Sequence, residues 1–199
     1  MNFAGYKAEE SEILVEKWKP RRERVYYSQG VLMDKGPMII RKATEEDAEA
    51  IAKIYNWYIL NTPITIETEP VSQNEMKRRI LKKRLTYDWL VAVIGQEIVG
   101  YAYYGSFRER GAYNHTVESA IYIPLKSIGM GFGRILYSSL IDSAKKRGYL
   151  EMIGLIALPN PGSVALHREM GFNEVGVLRN VGYKFEKFIN VGIWQLSLT

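Results

Sequence analysis

From residue 38 onward the chain switches repeatedly between two hydrophobic periods. "MIIRKA" (38–43) is a short apolar run and predicts a strand. "TEEDAEAIAKIYNWYILNT" (44–62) changes to a helical period, with Ala48, Ile51, Ile54, Tyr55 and Tyr58 on one face. Thr44 stands at its N-cap, with Asp47 three residues on and acidic residues in the first turn. "NEMKRRILKKRL" (74–85) predicts a second amphipathic helix. "WLVAVIG" and "IVGYAYYGSF" predict two strands joined around "GQE" (95–97), a hairpin signal, and "TVESAIYI" (116–123) a further strand. The stretch "IGMGFGRILYSSL" (128–140) then opens a helix through Leu136, Leu140 and Ala144, with Gly148 as its C-cap. "YLEMIGLIAL" (149–158) predicts a buried strand, and "PGSVALHREMGF" (161–172) a short helix ending at Gly171. "VGVLRNVGYKF" (175–185) and "INVGIWQLSL" (189–198) predict a closing pair of strands.

Strands and helices alternate, but hairpins flank both ends, so the fold class is α/β with a mixed rather than wholly parallel sheet. Residues 1–36 differ from this pattern. They hold seven Lys or Arg against six Asp or Glu, with Pro20 and a terminal "DKG". We read them as an N-terminal extension of unknown role, with one helix near residues 8–18, preceding a domain over residues 37–199.

Composition narrows the function classes. With 199 residues, 47% of them hydrophobic, the chain can bury a sizeable core and is expected to form one main domain. It has no cysteine, which excludes disulfides, thiolate metal ligands and a cysteine nucleophile. No metal site is expected. No apolar run approaches the roughly 20 residues of a membrane span, and "MNFAGYKAEESEILVEKWKP" lacks the apolar core of a secretory signal. The expectation is a cytoplasmic protein with no membrane partner. The formal net charge of +5 mildly favours anionic partners. The basic knots at 17–24, 77–84 and 145–147 read as solvated helix faces and ends, and no nucleic-acid reading motif accompanies them.

The glycines of 128–140 pose the chemical question. Gly129, Gly131 and Gly133 leave the backbone free to take positive φ and to approach a ligand closely. A helix start adds unpaired N–H groups and the positive end of the dipole, a seat for phosphate. A nucleotide P-loop would need Lys followed by Ser or Thr after its second glycine, and none is so placed. A dinucleotide fingerprint would need its third glycine at position 134 or 136, where Arg134 and Leu136 stand. The pattern Q/R-x-x-G-x-G/A between a strand and a helix is the one that fits, with Gly131-Phe132-Gly133 as the glycine pair and Ile128 where Gln or Arg is usual.

That pattern is the pyrophosphate signature of the GNAT N-acetyltransferases, and the rest of the chain resembles one branch of that family. "YDWLVAV", "AYNHTVESAIYI", "GMGFGRILY", "ALPNPGSVALHREMGF", "GYKF" and "VGIWQLSL" follow in the order and spacing of the branch that contains the phosphinothricin and methionine sulfoximine acetyltransferases. The resemblance covers about residues 38–199 and implies the GNAT fold, a central mixed, twisted β-sheet flanked by helices. It implies acetyl-CoA as co-substrate, bound by Ile121, Tyr122, Ile123, Gly129, Met130, Gly131, Phe132, Gly133, Arg134 and Asn160. Glu118 matches the family's general base, and His167 lies where many members place a tyrosine that protonates the departing thiolate. The loop "SFRER" matches a family loop that contacts an amino-acid acceptor, which points to Arg108, Glu109 and Arg110. A guanidinium fork suits a carboxylate. His115 has no assigned duty. The resemblance also implies a homodimer. The leading expectation is acetyl transfer to the amine of phosphinothricin, methionine sulfoximine or methionine sulfone. Two alternatives keep the fold: another amine acceptor (a polyamine, an aminoglycoside or a protein N-terminus), or a non-catalytic acyl-CoA-binding module.

Overall fold

The structure is a computed structural model. It describes residues 36–199 and, before them, the backbone of two short strands, β1 (Tyr27–Ser28) and β2 (Val31–Leu32), which pair antiparallel. The helix expected near residues 8–18 lies outside the described residues. From Met38 the expected elements follow in the expected order. They are β3 (Met38–Lys42), α1 (Ala48–Asn61), α2 (Gln73–Lys83), β4 (Trp89–Ile94), β5 (Glu97–Ser106), β6 (Thr116–Tyr122), α3 (Phe132–Lys146), β7 (Glu151–Leu158), α4 (Pro161–Glu169), β8 (Asn173–Lys184) and β9 (Lys187–Ser197).

Seven strands form one sheet in the order β3-β4-β5-β6-β7-β9-β8. Only β6 and β7 are parallel, and every other neighbouring pair is antiparallel. This is the mixed sheet that terminal hairpins imply. Each face of the sheet is apolar and each is covered. On one side α3 contributes Phe132, Leu136, Tyr137, Leu140, Ile141 and Ala144, against Ala102, Tyr104, Val117 and Met152 of the strands. On the other, α1 and α2 bury Ala48, Ile51, Tyr55, Ile59, Met76 and Ile80 against Trp89, Val91 and Tyr101. Burial from both sides explains why β4 reads as the continuous run "WLVAVI" rather than as an alternation.

The local signals act as their chemistry requires. The Asp47 carboxylate accepts from the Thr44 backbone N–H at 2.8 Å and is held by the Arg41 guanidinium at 2.7 and 2.8 Å. The helix expected from Thr44 opens with a 3₁₀ turn, Glu45–Asp47, before α1 proper. At the other end of the α3 face, Gly148 takes φ of +81°, the left-handed geometry that ends a helix.

The edge of the α3 layer is fixed by one buried carboxylate. Asp88 is 5% exposed and accepts from Arg147 Nε at 2.9 Å, Arg147 Nη2 at 2.8 Å, Ser143 Oγ at 2.8 Å and Tyr104 Oη at 3.2 Å. Burial pushes the carboxyl pKa up, but the Arg147 and Ser143 hydrogen bonds outweigh it and leave the group below the usual aspartate value. Its stabilisation is therefore present above the unfolded-state pKa and lost as pH falls through the folded one. Asp88→Ala removes the charge-assisted hydrogen bonds from Arg147 and Ser143, and a hydrogen bond to a charged group is worth about 2 kcal/mol. Urea unfolding is expected to show that loss at pH 7, and the gap to wild type should narrow as both are titrated into the acid range.

Candidate active site

The site is built where two parallel strands stop pairing. β6 and β7 share a ladder only over Thr116–Ser119 and Glu151–Gly154. Beyond Ser119 and Gly154 each strand continues, β6 to Tyr122 and β7 to Leu158, but the two no longer pair with each other. The resulting cleft is lined by Ser119–Tyr122 of β6, Leu155–Ala157 of β7, Ile64, and Asn160, Ser163 and His167 at α4. Because β6 already pairs with β5 and β7 with β9, the edges facing the cleft offer backbone N–H and C=O groups to an extended ligand.

Side chains hold this opening apart. A Cβ at Gly154 would lie 2.6 Å from His167 Nε2, so only glycine lets the imidazole lie on the sheet at the last paired residue. His167 is 4% exposed. Its Nδ1 lies 2.8 Å from the Ser163 carbonyl, which fixes the proton on Nδ1 and makes Nε2 the acceptor of the Tyr137 hydroxyl at 3.1 Å. The Tyr137 oxygen in turn accepts from Ser119 Oγ at 2.8 Å, and the Ile153 carbonyl lies 3.2 Å from the same Ser119 Oγ. One chain of polar contacts thus runs from β6 through α3 to α4, across the point where the strands part. Burial pushes the His167 pKa down, which favours the neutral ring, and both nitrogens are engaged. Asn160 caps α4, accepting from Ser163 N at 3.1 Å, and lines the cleft as well.

At the far end of β6 lies the glycine loop. Gly129 and Gly131 take φ of +78° and +86°, and a Cβ on either would meet nothing within 4 Å. Conformation rather than crowding demands glycine here, and the space above the loop is open. Gly131 is the N-cap of α3 and supplies no side-chain cap, so the dipole end of a 15-residue helix faces that space. Gly133 packs toward Ile123 and Leu166, each 3.6 Å from its Cβ position. Phe132 is buried in the core, so it can serve a ligand only through its backbone, while Met130 is partly buried against the same core. Arg134 is exposed and ion-paired with Glu169 at 3.0 Å, while Ile128 is 56% exposed and brings no charge. Loop and helix start together suit a diphosphate. Arg134 is the cation at hand.

Glu118 lies on the opposite face from Ser119, as strand alternation requires, and looks toward α1 and α2. It is half-buried. Arg108 Nη1 approaches it at 3.9 Å, with the guanidinium stacked on Phe107. Burial pushes the Glu118 carboxyl up, and the pull of Arg108 and Lys83 only partly offsets this. Glu109 and Arg110 are exposed on the same loop, and neither forms an ion pair with Glu118. The His115 carbonyl accepts from Leu150 and Glu151 N–H, so its contribution is to the strand start.

Around Glu118 the structure assembles groups that sequence reasoning did not select. Tyr103 stacks on Trp89 at 4.2 Å between ring centroids, and Tyr55, Tyr58 and Tyr101 gather round Tyr122. The loop between α1 and α2 is pinned over them: Tyr55 Oη meets Thr65 Oγ1 at 2.8 Å and Glu67 Oε1 at 2.9 Å, Arg79 clasps Glu67, and buried Lys184 donates to the Thr65 carbonyl at 3.0 Å. Lys83 reaches over the Tyr103 ring at 4.9 Å. One signal for Lys83 was present in the sequence. It follows Met76 and Ile80 at i, i+4, i+7, on the buried face of α2 rather than the solvated one.

Comparison with known proteins accounts for this geometry. The acetyltransferase (GNAT) domain family matches residues 40–192. The chain is 36% identical over 162 residues to a phosphinothricin N-acetyltransferase of Streptomyces viridochromogenes, covering 81% of this chain and 88% of that one. It is 33% identical over 162 residues to an L-methionine sulfoximine/L-methionine sulfone acetyltransferase of Salmonella typhimurium, covering 81% and 95%. Among solved structures, a GNAT superfamily phosphinothricin acetyltransferase from Sinorhizobium meliloti in complex with AcCoA superposes with a TM-score of 0.78 at 33% identity, covering 80% of this chain and 88% of that one. A parted parallel strand pair, a glycine loop at a helix start and a match over most of the chain lead to one conclusion: this protein is an acetyltransferase of the GNAT family.

Proposed function

We propose that the protein acetylates the α-amine of a small amino-acid analogue of the phosphinothricin, methionine sulfoximine or methionine sulfone kind, by direct transfer from acetyl-CoA with Glu118 as the base. The observation that carries this reading is the half-buried Glu118 carboxylate, one residue before the point where β6 and β7 part, with a cation beside it. The curated relatives named for these substrates support the acceptor class.

Bound acetyl-CoA supplies the activated acetyl group. The remaining work belongs to the chain. The N–H groups of Gly129–Arg134 and the α3 dipole hold the diphosphate, and the open edge of Ala120–Ile123 pairs with the pantetheine arm. Asn160 and Ser163 border that arm from α4. A backbone N–H on the β6 edge polarises the thioester carbonyl. An α-amine is largely protonated at neutral pH, so Glu118 takes a proton from the ammonium, directly or through one water, and frees the lone pair for attack. Collapse of the tetrahedral adduct breaks the C–S bond, and the second proton shed by the nitrogen goes by way of water to the departing thiolate. His167, neutral and hydrogen-bonded at both nitrogens, enters as the wall that sets the cleft. As the thiolate's proton donor it would first have to take up a proton at Nε2 against its burial, with the Tyr137 hydroxyl turning away. Arg108 steers the acceptor's anionic end.

The expected homodimer belongs to the same proposal. β8 is a sheet edge and exposes Val175, Val177, Val181 and Tyr183, with Phe188 opposite Tyr183 on β9. A second copy about a two-fold axis can cover this edge with an identical one. Light scattering after size exclusion is expected to give twice the chain mass, and Val177→Lys with Val181→Lys to give the monomer.

The acetylation test is thiol release from acetyl-CoA with methionine sulfone or phosphinothricin. Glu118→Gln is expected to lower kcat by about 10²–10³-fold, the range of general-base catalysis, with acetyl-CoA affinity preserved. Glu118 acts in its ionised form, so kcat/KM should rise with pH through an apparent pKa above the ordinary glutamate value. That acid limb should vanish in Glu118→Gln. Acetyl-CoA binding without release for any amino-acid analogue would overturn the acceptor assignment.

A further inference from the structure

Gly105 on β5 is paired directly with Glu118 on β6, and the two share the sheet face that looks toward α2. The missing Gly105 side chain leaves room that another residue fills. A Cβ at Gly105 would lie 2.9 Å from the Lys83 ammonium nitrogen and 3.4 Å from its Cε. Paired positions of a sheet stand about 5 Å apart at Cβ, so the Lys83 ammonium is set beside the root of the Glu118 side chain. Its stem comes from the last turn of α2, on the Met76–Ile80 face.

The environment of this ammonium is unusual for a lysine. It is half-buried, lies 4.9 Å from the Tyr103 ring centroid, and makes no hydrogen bond or ion pair among the described residues. The neighbouring basic residues Lys77, Arg78 and Arg79 each have a carboxylate partner, Glu45, Glu75 and Glu67 respectively. Drawing an ammonium from water without a hydrogen-bonded anion is costly, and an aromatic face offsets only part of that cost. Burial accordingly pushes its pKa down, while Glu118 pulls it up. An anion arriving at this spot would complete the interaction that the chain itself leaves open.

We infer that Lys83 is the specificity residue that receives the α-carboxylate of the acceptor while its α-amine faces Glu118. This rests on the acceptor class proposed above and goes further by naming the group that selects it. The amine and carboxylate of an α-amino acid are separated by a single carbon, which matches a carboxylate base and an ammonium standing side by side. The phosphinate, sulfoximine or sulfone end lies several bonds further off and reaches away from this pair. Arg108 differs in kind: it lies on an exposed loop, already stacked on Phe107, whereas Lys83 is lodged in the space that Gly105 leaves.

The test compares methionine sulfone with its α-carboxamide as acceptors for wild type, Lys83→Met and Gly105→Ala. The alanine methyl meets only the flexible end of Lys83 and so displaces the ammonium without removing its charge. A hydrogen bond to a charged group is worth about 30-fold in affinity. Lys83→Met is therefore expected to lower the acid-to-amide ratio of kcat/KM by about 30-fold, through KM for the acid, with Gly105→Ala lowering it in the same direction. Any change in the reactivity of Glu118 affects both acceptors and cancels in the ratio. If wild type acetylates both acceptors and the ratio stays unchanged in both variants, the role of Lys83 is overturned while the acceptor class stands. If wild type acetylates neither but acts on an amine without a carboxylate, the acceptor class falls and the Lys83 role with it.

Discussion

The candidate site rests on a parallel strand pair that forms and then parts. A regular sheet would carry the ladder of β6 and β7 on past Ser119 and Gly154, and no cleft would exist. His167 occupies the place of a side chain at Gly154, and the Ser119–Tyr137–His167–Ser163 contacts tie β6, α3 and α4 together at that level. Ser119, Tyr137 and His167 are buried and Ser163 is half-buried, and each has a partner at the level where the strands part. The edges beyond it keep the pairing capacity of a sheet, and that is what suits them to an amide-bearing ligand arm.

The two ends of the cleft use different physics. At the glycine loop what is offered to an anion is mainly backbone groups and a helix dipole, because Ile128 brings no charge and Arg134 is shared with Glu169. At the end of the cleft near Glu118 it is side chains with aromatic walls around them. There Glu118, Arg108 and Lys83 stand near one another with incomplete pairing. Elsewhere the chain treats buried charge differently: Asp88 is saturated by Arg147, Ser143 and Tyr104, and Asp47 by Arg41 and Thr44. Saturated groups hold the fold, and the unsaturated ones are found at the site.

Much of this was legible before any coordinates. The apolar periods located the strands and helices from Met38 onward, because each element buries one face or both, and the hairpin signals foretold a mixed sheet. The glycine spacing foretold left-handed backbone at a helix start, because positive φ at Gly129 and Gly131 is a local property of the chain. Order and spacing of six segments carried the family.

What the sequence by itself determined, then, is the set of elements, the family, and the positions where the backbone takes a glycine conformation. Only the tertiary structure decided how the side chains meet. It packed His167, expected from the sequence as a proton donor, against Gly154, 13 residues away in the chain, with both ring nitrogens engaged. It lifted Lys83 out of a run of helix charges, because Gly105 left the room for its ammonium beside Glu118. Hydrophobic period and glycine conformation are written residue by residue. The state of a charged or polar side chain depends on neighbours that only the packed fold brings within reach.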